Sequence, residues 1–404
     1  IRDRAYAEDL DASDSVSYTL SDDAGGLFAI NSTSGVVTLA SQLDYETSPS
    51  HMITVLASST DGSTSTADFT IDVIDEEEVD SGITMDASDM AGGGDFHGSL
   101  TDDIFDGSGL SAVLRIFAGE GNDEITGGTR SDYLEGGLGD DTISGGIGKD
   151  YVDGGEGDDR ILGGDGVDDL YGGDGADRIN GDRGNDNLYG GSGDDTLNGG
   201  NHNDTLDGGQ GDDTLQGKRG VDTIYGGEGH DFVDGGDKGD TVYGGDGDDR
   251  ILGKRGSDHL EGGAGDDTIN GGNHGDYLHG GQGNDLLEGK FGSDQLYGGL
   301  GDDVLKGGMA SDILNGGAGN DELYGGDGAD IFQFEQVVNT DFIRDFTSDD
   351  TIEFRYRDGV DDNSQASVSI NEANGNTQVS WGAVSIMLDN YTTFTIDDFT
   401  FTMI

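Results

Sequence analysis

From Ala118 to Gln333 the chain repeats one nine-residue unit without insertion or deletion, 216 residues in 24 copies. Gly154–Leu162, GGEGDDRIL, is representative: Gly-Gly-x-Gly-x-Asp-x-aliphatic-x. The sixth position is Asp in all 24 copies, and the eighth is Ile, Leu or Val in every copy but the last, where it is Phe332. A unit this short cannot bury its one aliphatic side chain alone, but stacked units can. A flexible Gly/Asp linker has no reason to hold phase over that length, so the strict period argues for a solenoid.

Each unit predicts one short strand, such as Thr142-Ile143-Ser144, preceded by a six-residue turn whose glycines permit positive φ. Two units make an 18-residue coil with a turn on each edge. The 24 units then give 12 coils and a rod of about 55–60 Å at ~4.8 Å per stacked strand. The Asp residues fall into two columns, one per edge. Like charges at that spacing repel unless a cation sits between them. Carboxylate and carbonyl oxygens in a chain with no Cys form a hard-cation donor set, which suits Ca²⁺. The candidate ligands on the edge of odd-numbered units are Asp123, Asp141, Asp159, Asp177, Asp195, Asp213, Asp231, Asp249, Asp267, Asp285, Asp303 and Asp321. On the even edge they are Asp132, Asp150, Asp168, Asp186 and Asp330.

The two edges differ. All twelve odd units keep Gly at position four, and their fifth position is Asp or Asn in all but Ala176 and His230. The even units lose glycines in alternation. Position two is Asp182, Lys218, Lys254 and Lys290, and position four is His202, Lys238, His274 and Ala310, with Arg130 earlier. Drift after duplication accounts for such a pattern. So does selection for a side-chain cation where calcium is missing. Ions are therefore expected mainly on the odd edge, and on the even edge where Gly148 and Gly166 persist. Lys218, Arg219, Lys254, Arg255 and Lys290 are candidate anion-binding residues along that second edge. The histidines, among them His202, His230, His259 and His274, are expected to be solvated.

The net charge of −66 and a hydrophobic content of 31% leave a metal-free chain short of apolar surface and self-repelling. Folding is expected to be coupled to cation binding. The charge argues against nucleic acid and anionic membranes as partners, and no apolar run is long enough to span a bilayer. The chain starts at Ile1 without a leader and is expected to be a fragment or a processed product.

The nonapeptide resembles the calcium-binding repeat of RTX (repeats-in-toxin) exoproteins. Residues 1–80 alternate apolar and polar at period two in Val16–Leu20, Gly35–Leu39, Met52–Leu56 and Ala67–Val73. They resemble a cadherin-like β-sandwich through Ala7-Glu8-Asp9-Leu10-Asp11, Phe28-Ala29-Ile30, Thr33-Ser34-Gly35 and Leu43-Asp44-Tyr45-Glu46. That resemblance implies further calcium ligands at Asp9, Asp11, Asp44, Glu46 and Asp75. The family's first strand has no counterpart before Ala7, so the sandwich is expected to be open on one side. The alternating tail Thr395–Ile404 is a candidate donor for that edge. Residues 81–117 keep the pattern loosely, with Gly98 and Ala118 twenty apart instead of eighteen, and read as an N-terminal cap of the roll. Residues 334–404, with Asp341–Phe346 and Phe394–Phe401, resemble the ends of serralysin-type exoproteins. They imply a strand-rich cap and a type I secretion signal.

The expectation is an all-β chain: a cadherin-like sandwich (1–80), an N-terminal cap (81–117), a parallel β-roll of 24 nonapeptides (118–333) and a C-terminal cap (334–404). No H-E-x-x-H, G-x-S-x-G or G-K-[ST] occurs, so no enzyme is expected in these residues. The function expected is that of a secreted or cell-surface bacterial calcium-binding structural protein, the C-terminal part of an adhesin or extracellular-matrix fibre that can associate with itself. The alternatives are a binding module for acidic polysaccharide, or the tail of a secreted enzyme whose catalytic domain lies upstream.

Overall fold

The computed structural model describes residues 16–34, 36–40, 50–60, 62–72, 82–335, 339–356, 369–373, 376–381, 384–388 and 399–403. The chain divides into two compact units, Ile1–Ser81 and Gly82–Ile404. Among the described residues the secondary structure is entirely β.

In the first unit, β1 (Val16–Asp22), β4 (Ser50–Ser59) and β5 (Thr64–Asp72) form an antiparallel sheet in the order β1-β4-β5. β2 (Phe28–Ile30) pairs antiparallel with β3 (Val37–Leu39). Both sheets supply one core: Tyr18, Ile53, Val55 and Ile71 come from the first, Phe28 and Val37 from the second. The period-two alternation makes this two-layer arrangement, because only one face of each strand is apolar.

The second unit is a parallel solenoid. Strands from even-numbered nonapeptides lie in one 16-stranded sheet, and those from odd-numbered nonapeptides in the facing sheet. The register advances by one coil at each pairing: Ile143 opposes Ile161, and Val152 opposes Leu170. The aliphatic position eight points inward in every coil and is buried from Ile125 to Leu323. One continuous core runs the length of the roll.

The strands are longer than the three residues expected. Tyr151–Glu156 and Thr205–Gln210 are typical, each running through the aliphatic residue and on into the Gly-Gly-x of the next unit. The tight turn is correspondingly short, the Gly-x-Asp that follows.

The roll also extends beyond the repeats. Ile104–Asp106 pairs in parallel with Glu124–Thr126 at a twenty-residue offset, and Thr84–Met85 pairs with Ile104–Asp106. At the other end Thr351–Tyr356 stacks on Ile331–Phe334, and Asn339–Ile343 on Glu322–Asp327. Val384–Leu388 and Phe399–Met403 add a further pair of parallel strands. Ser369–Ala373 and Asn376–Trp381 extend one sheet antiparallel. Phe399–Met403, the described part of the tail expected as a donor for another chain, therefore pairs within its own.

Eight tyrosines share the outer face of the even-unit sheet. Tyr133 stacks on Tyr151 and Tyr171 on Tyr189, each pair at 4.8 Å between ring centroids, and Tyr225 on Tyr243 at 5.3 Å; Tyr277 and Tyr297 complete the set. In-register parallel pairing places identical residues one strand spacing apart, where offset rings attract.

Candidate metal centre

Each turn is built around its sixth-position Asp. These side chains are buried on both edges, from Asp123 at 2% exposure to Asp330 at 1%. One carboxylate oxygen is accounted for, since Oδ1 accepts the backbone N–H of the Asp one coil earlier, or of Leu114 in the case of Asp132. Asp141 Oδ1 takes the Asp123 N–H at 2.7 Å, and Asp168 Oδ1 takes the Asp150 N–H at 2.9 Å. The other oxygen has no hydrogen-bond partner on any of the 24 except Asp132, whose Oδ2 accepts the Gly128 N–H at 2.7 Å. A buried carboxylate oxygen left bare is costly, and here the cost recurs at every turn.

The glycines leave room for what would relieve it. A Cβ on Gly154, at position one, would sit 2.1 Å from Asp159 Oδ2 and 2.6 Å from the Gly172 carbonyl oxygen. One on Gly137, at position two with φ +122°, would sit 2.0 Å from the Gly119 carbonyl oxygen. Main-chain oxygens and one bare carboxylate oxygen thus crowd the same space at each step. Among the described residues no group of three or more His, Asp or Glu side chains converges, so the main chain would have to supply most ligands. An all-oxygen, carbonyl-rich set of this kind fits Ca²⁺.

Electrostatics agree. Burial, the largest cause, pushes Asp141, Asp159 and Asp195 up to about 7, with neighbouring carboxylates adding to the rise. On the even edge burial pushes Asp204 and Asp240 up to about 8. These groups resist carrying charge until a cation joins them.

The twelve odd-edge candidates form one column, and Asp132, Asp150, Asp168, Asp186 and Asp330 stand in the second. The sequence reading missed three parts of this array. Asp103 starts the odd column, its N–H donating to Asp123 Oδ1 at 2.7 Å. Asp341 and Asp350 continue the two columns into the C-terminal cap by accepting the N–H groups of Asp321 and Asp330. The signal was present as Asp-x-aliphatic in Asp341-Phe342-Ile343 and Asp350-Thr351-Ile352, shifted by two residues. The third part is a parallel ladder at position five of the odd edge. Asp140 Oδ1 accepts the Asp158 N–H at 3.0 Å, Asp158 Oδ1 accepts the Ala176 N–H at 2.9 Å, and His230 Nδ1 accepts the Asp248 N–H at 2.8 Å. Asp9, Asp11, Asp44, Glu46 and Asp75 lie outside the described residues.

His202, His230 and His274 are exposed, as expected, and His259 is half-buried; each also makes contacts within the roll. His259 stacks on Tyr277 at 4.6 Å and contacts Glu261 at 2.8 Å, and the Nδ1 atoms of His202 and His274 engage the carbonyls of Asn201 and Asn273. Of the candidate anion-binding residues, Lys254 pairs with Asp234 at 3.2 Å, Arg255 with Asp237 at 3.3 Å and Lys290 with Glu288 at 2.6 Å. Their charge is largely spent within the chain. Lys218 and Arg219 border the same shallow groove as Lys254 and Arg255.

The family model described as RTX calcium-binding nonapeptide repeat (4 copies) matches the chain in overlapping placements from residue 117 to residue 335. The Cadherin domain model matches residues 1–74. Ten solved chains match. One is the extracellular lipase LipA from Serratia marcescens, at 17% identity and a TM-score of 0.18, covering 56% of this chain and 44% of that one. At that score the likeness carries no argument here. No curated protein matches.

Proposed function

The chain belongs to the RTX calcium-binding nonapeptide repeat family, and from that premise we propose that it is a structural rod, folded by calcium outside the cell, within a secreted bacterial adhesin or extracellular-matrix protein. The observation that carries this reading is the double column of buried aspartates, all but Asp132 with one bare oxygen. Asp159 and its counterparts would hold Ca²⁺ together with turn carbonyls. The ion would supply the charge neutralisation that lets the coils close on each other. Every other role falls to the chain: aliphatic residues fill the core, glycines admit the close backbone approach, and the N–H-to-carboxylate ladder fixes the spacing.

Extracellular calcium modules bind at about 10⁻⁴–10⁻³ M, which would keep such a chain unfolded until export. No helix among the described residues is long and apolar enough to cross a membrane. A calcium titration followed by circular dichroism and sedimentation velocity tests the reading. The expected result is a cooperative gain of β-structure with compaction. Full β-structure in excess chelator at neutral pH would sink it.

A second reading, binding of an acidic polysaccharide along the even edge, draws on Lys218 and Arg219 beside the groove. It predicts binding that disappears in the Lys218→Ala/Arg219→Ala variant, with calcium-induced folding unchanged.

A further inference from the structure

Every even turn from Gly181 to Asp312 has lost one glycine, and the loss alternates between position two and position four. The structure shows what that does to the backbone. On the odd edge, glycines at positions two and four hold φ between 99° and 145°, a region closed to L-residues. Their even-edge replacements sit at 68–88°: Asp182, His202, Lys218, Lys238, Lys254, His274, Lys290 and Ala310. The peptide planes there are turned by tens of degrees, so the carbonyl oxygens cannot occupy the positions they take on the odd edge.

The spacing between turns follows. On the odd edge the position-four N–H donates to the position-three carbonyl of the next coil at 2.6–2.8 Å throughout. At Gly184, Gly220, Gly256 and Gly292, whose turns carry Asp182, Lys218, Lys254 and Lys290, the same bond stretches to 3.3, 3.4, 3.3 and 3.2 Å. In two of these stretched gaps a basic residue at position four acts on the buried Asp: the first lies between the turns beginning at Gly217 and Gly235, the second between those beginning at Gly253 and Gly271. In the second, the Asn273 side-chain amide crosses the gap and donates to the Lys254 carbonyl at 3.0 Å, which occupies an oxygen otherwise free for a metal.

Both gaps also receive a basic side chain. Lys238 lies across the first from Asp222, and its positive charge opposes the upward push that burial gives that carboxylate. His274 stands in the same relation to Asp258 across the second. The bare Oδ2 atoms of Asp222 and Asp258 are buried, so each needs positive charge or a donor nearby.

We infer that these two gaps take no calcium, and that Lys238 and His274 serve there as built-in substitutes for the ion. The inference rests on the calcium reading above and changes its stoichiometry: the even edge carries no ion in either of these two gaps. The stretched gaps and rotated carbonyls deny a metal its oxygen cage, and the basic side chain relieves the same repulsion at a distance.

Native mass spectrometry of the calcium-loaded full chain, which counts bound ions, decides it. Lys218→Gly/Lys238→Gly should hold one more ion than the parent, Lys254→Gly/His274→Gly one more, and the combined variant two more. Equal counts in parent and variants would overturn the inference. So would density for an ion in either gap of the calcium-loaded parent crystal, an arm that needs no variant to fold. A parent that binds no calcium at all would instead remove the reading on which the inference stands.

Discussion

At the scale of single residues, glycine and aspartate make separable contributions. Gly154→Ala would place a methyl group where Asp159 Oδ2 and the Gly172 carbonyl already lie, and such overpacking costs about 1–3 kcal/mol. Calcium-loaded Gly154→Ala should melt earlier than the parent. Gly92→Ala, where nothing lies within 4 Å of the added atom, should melt with it. Asp159→Asn separates affinity from repulsion. Asn keeps the shape but removes a charge that burial already pushes up to about 7. The calcium midpoint should rise several-fold, by about 1 kcal/mol or more, while the calcium-free variant should be no less structured than the parent. Circular dichroism at both calcium levels reads this out, and a calcium midpoint equal to the parent's would show that Asp159 is not a ligand. These ligands were legible in the sequence because Asp recurs in every unit. For Lys238 and His274 the sequence left drift and selection for a cation both open, because φ is not written in sequence.

At the scale of elements, the sequence marks strands only where side chains alternate. Tyr151-Val152-Asp153 is visible as a strand, but the Gly154–Glu156 half of the same element carries little alternation to read, although its backbone pairs in register with Gly172–Asp174. The six-residue turn was therefore overestimated. The caps were obscured by a different effect: a two-residue offset breaks the period at Asp103 and again at Asp341, while the pairing geometry carries straight on. The tail Phe399–Met403 covers the edge of Thr351–Tyr356. An uncovered strand edge invites pairing with another chain. Deleting residues 395–404 should turn a calcium-loaded monomer into a concentration-dependent oligomer in sedimentation velocity. A truncated chain that stays monomeric at high concentration would mean that the edge has other cover.

At the scale of the whole molecule, the charge of −66 and the buried aspartates set the dependence on pH. In the folded, cation-free roll, burial raises the Asp carboxyls to about 6–8, as at Asp123, Asp141 and Asp240, against about 3.9 in an unfolded chain. A folded-state pKa above the unfolded value means that the folded state holds more protons. Its contribution to stability is fully present below pH ~4 and is lost as pH rises through about 6–8. Protons should therefore substitute in part for calcium. Calcium-free protein should show roll-like β-structure near pH 4–5, lose it between about pH 6 and 8, and regain it at pH 8 on adding calcium. Because many carboxyls act together, the loss should be steeper than the titration of one group. Circular dichroism of exhaustively dialysed protein across this range is the measurement. β-structure that grows with rising pH in the absence of calcium would contradict the linkage, and with it the claim that these columns repel until a cation neutralises them.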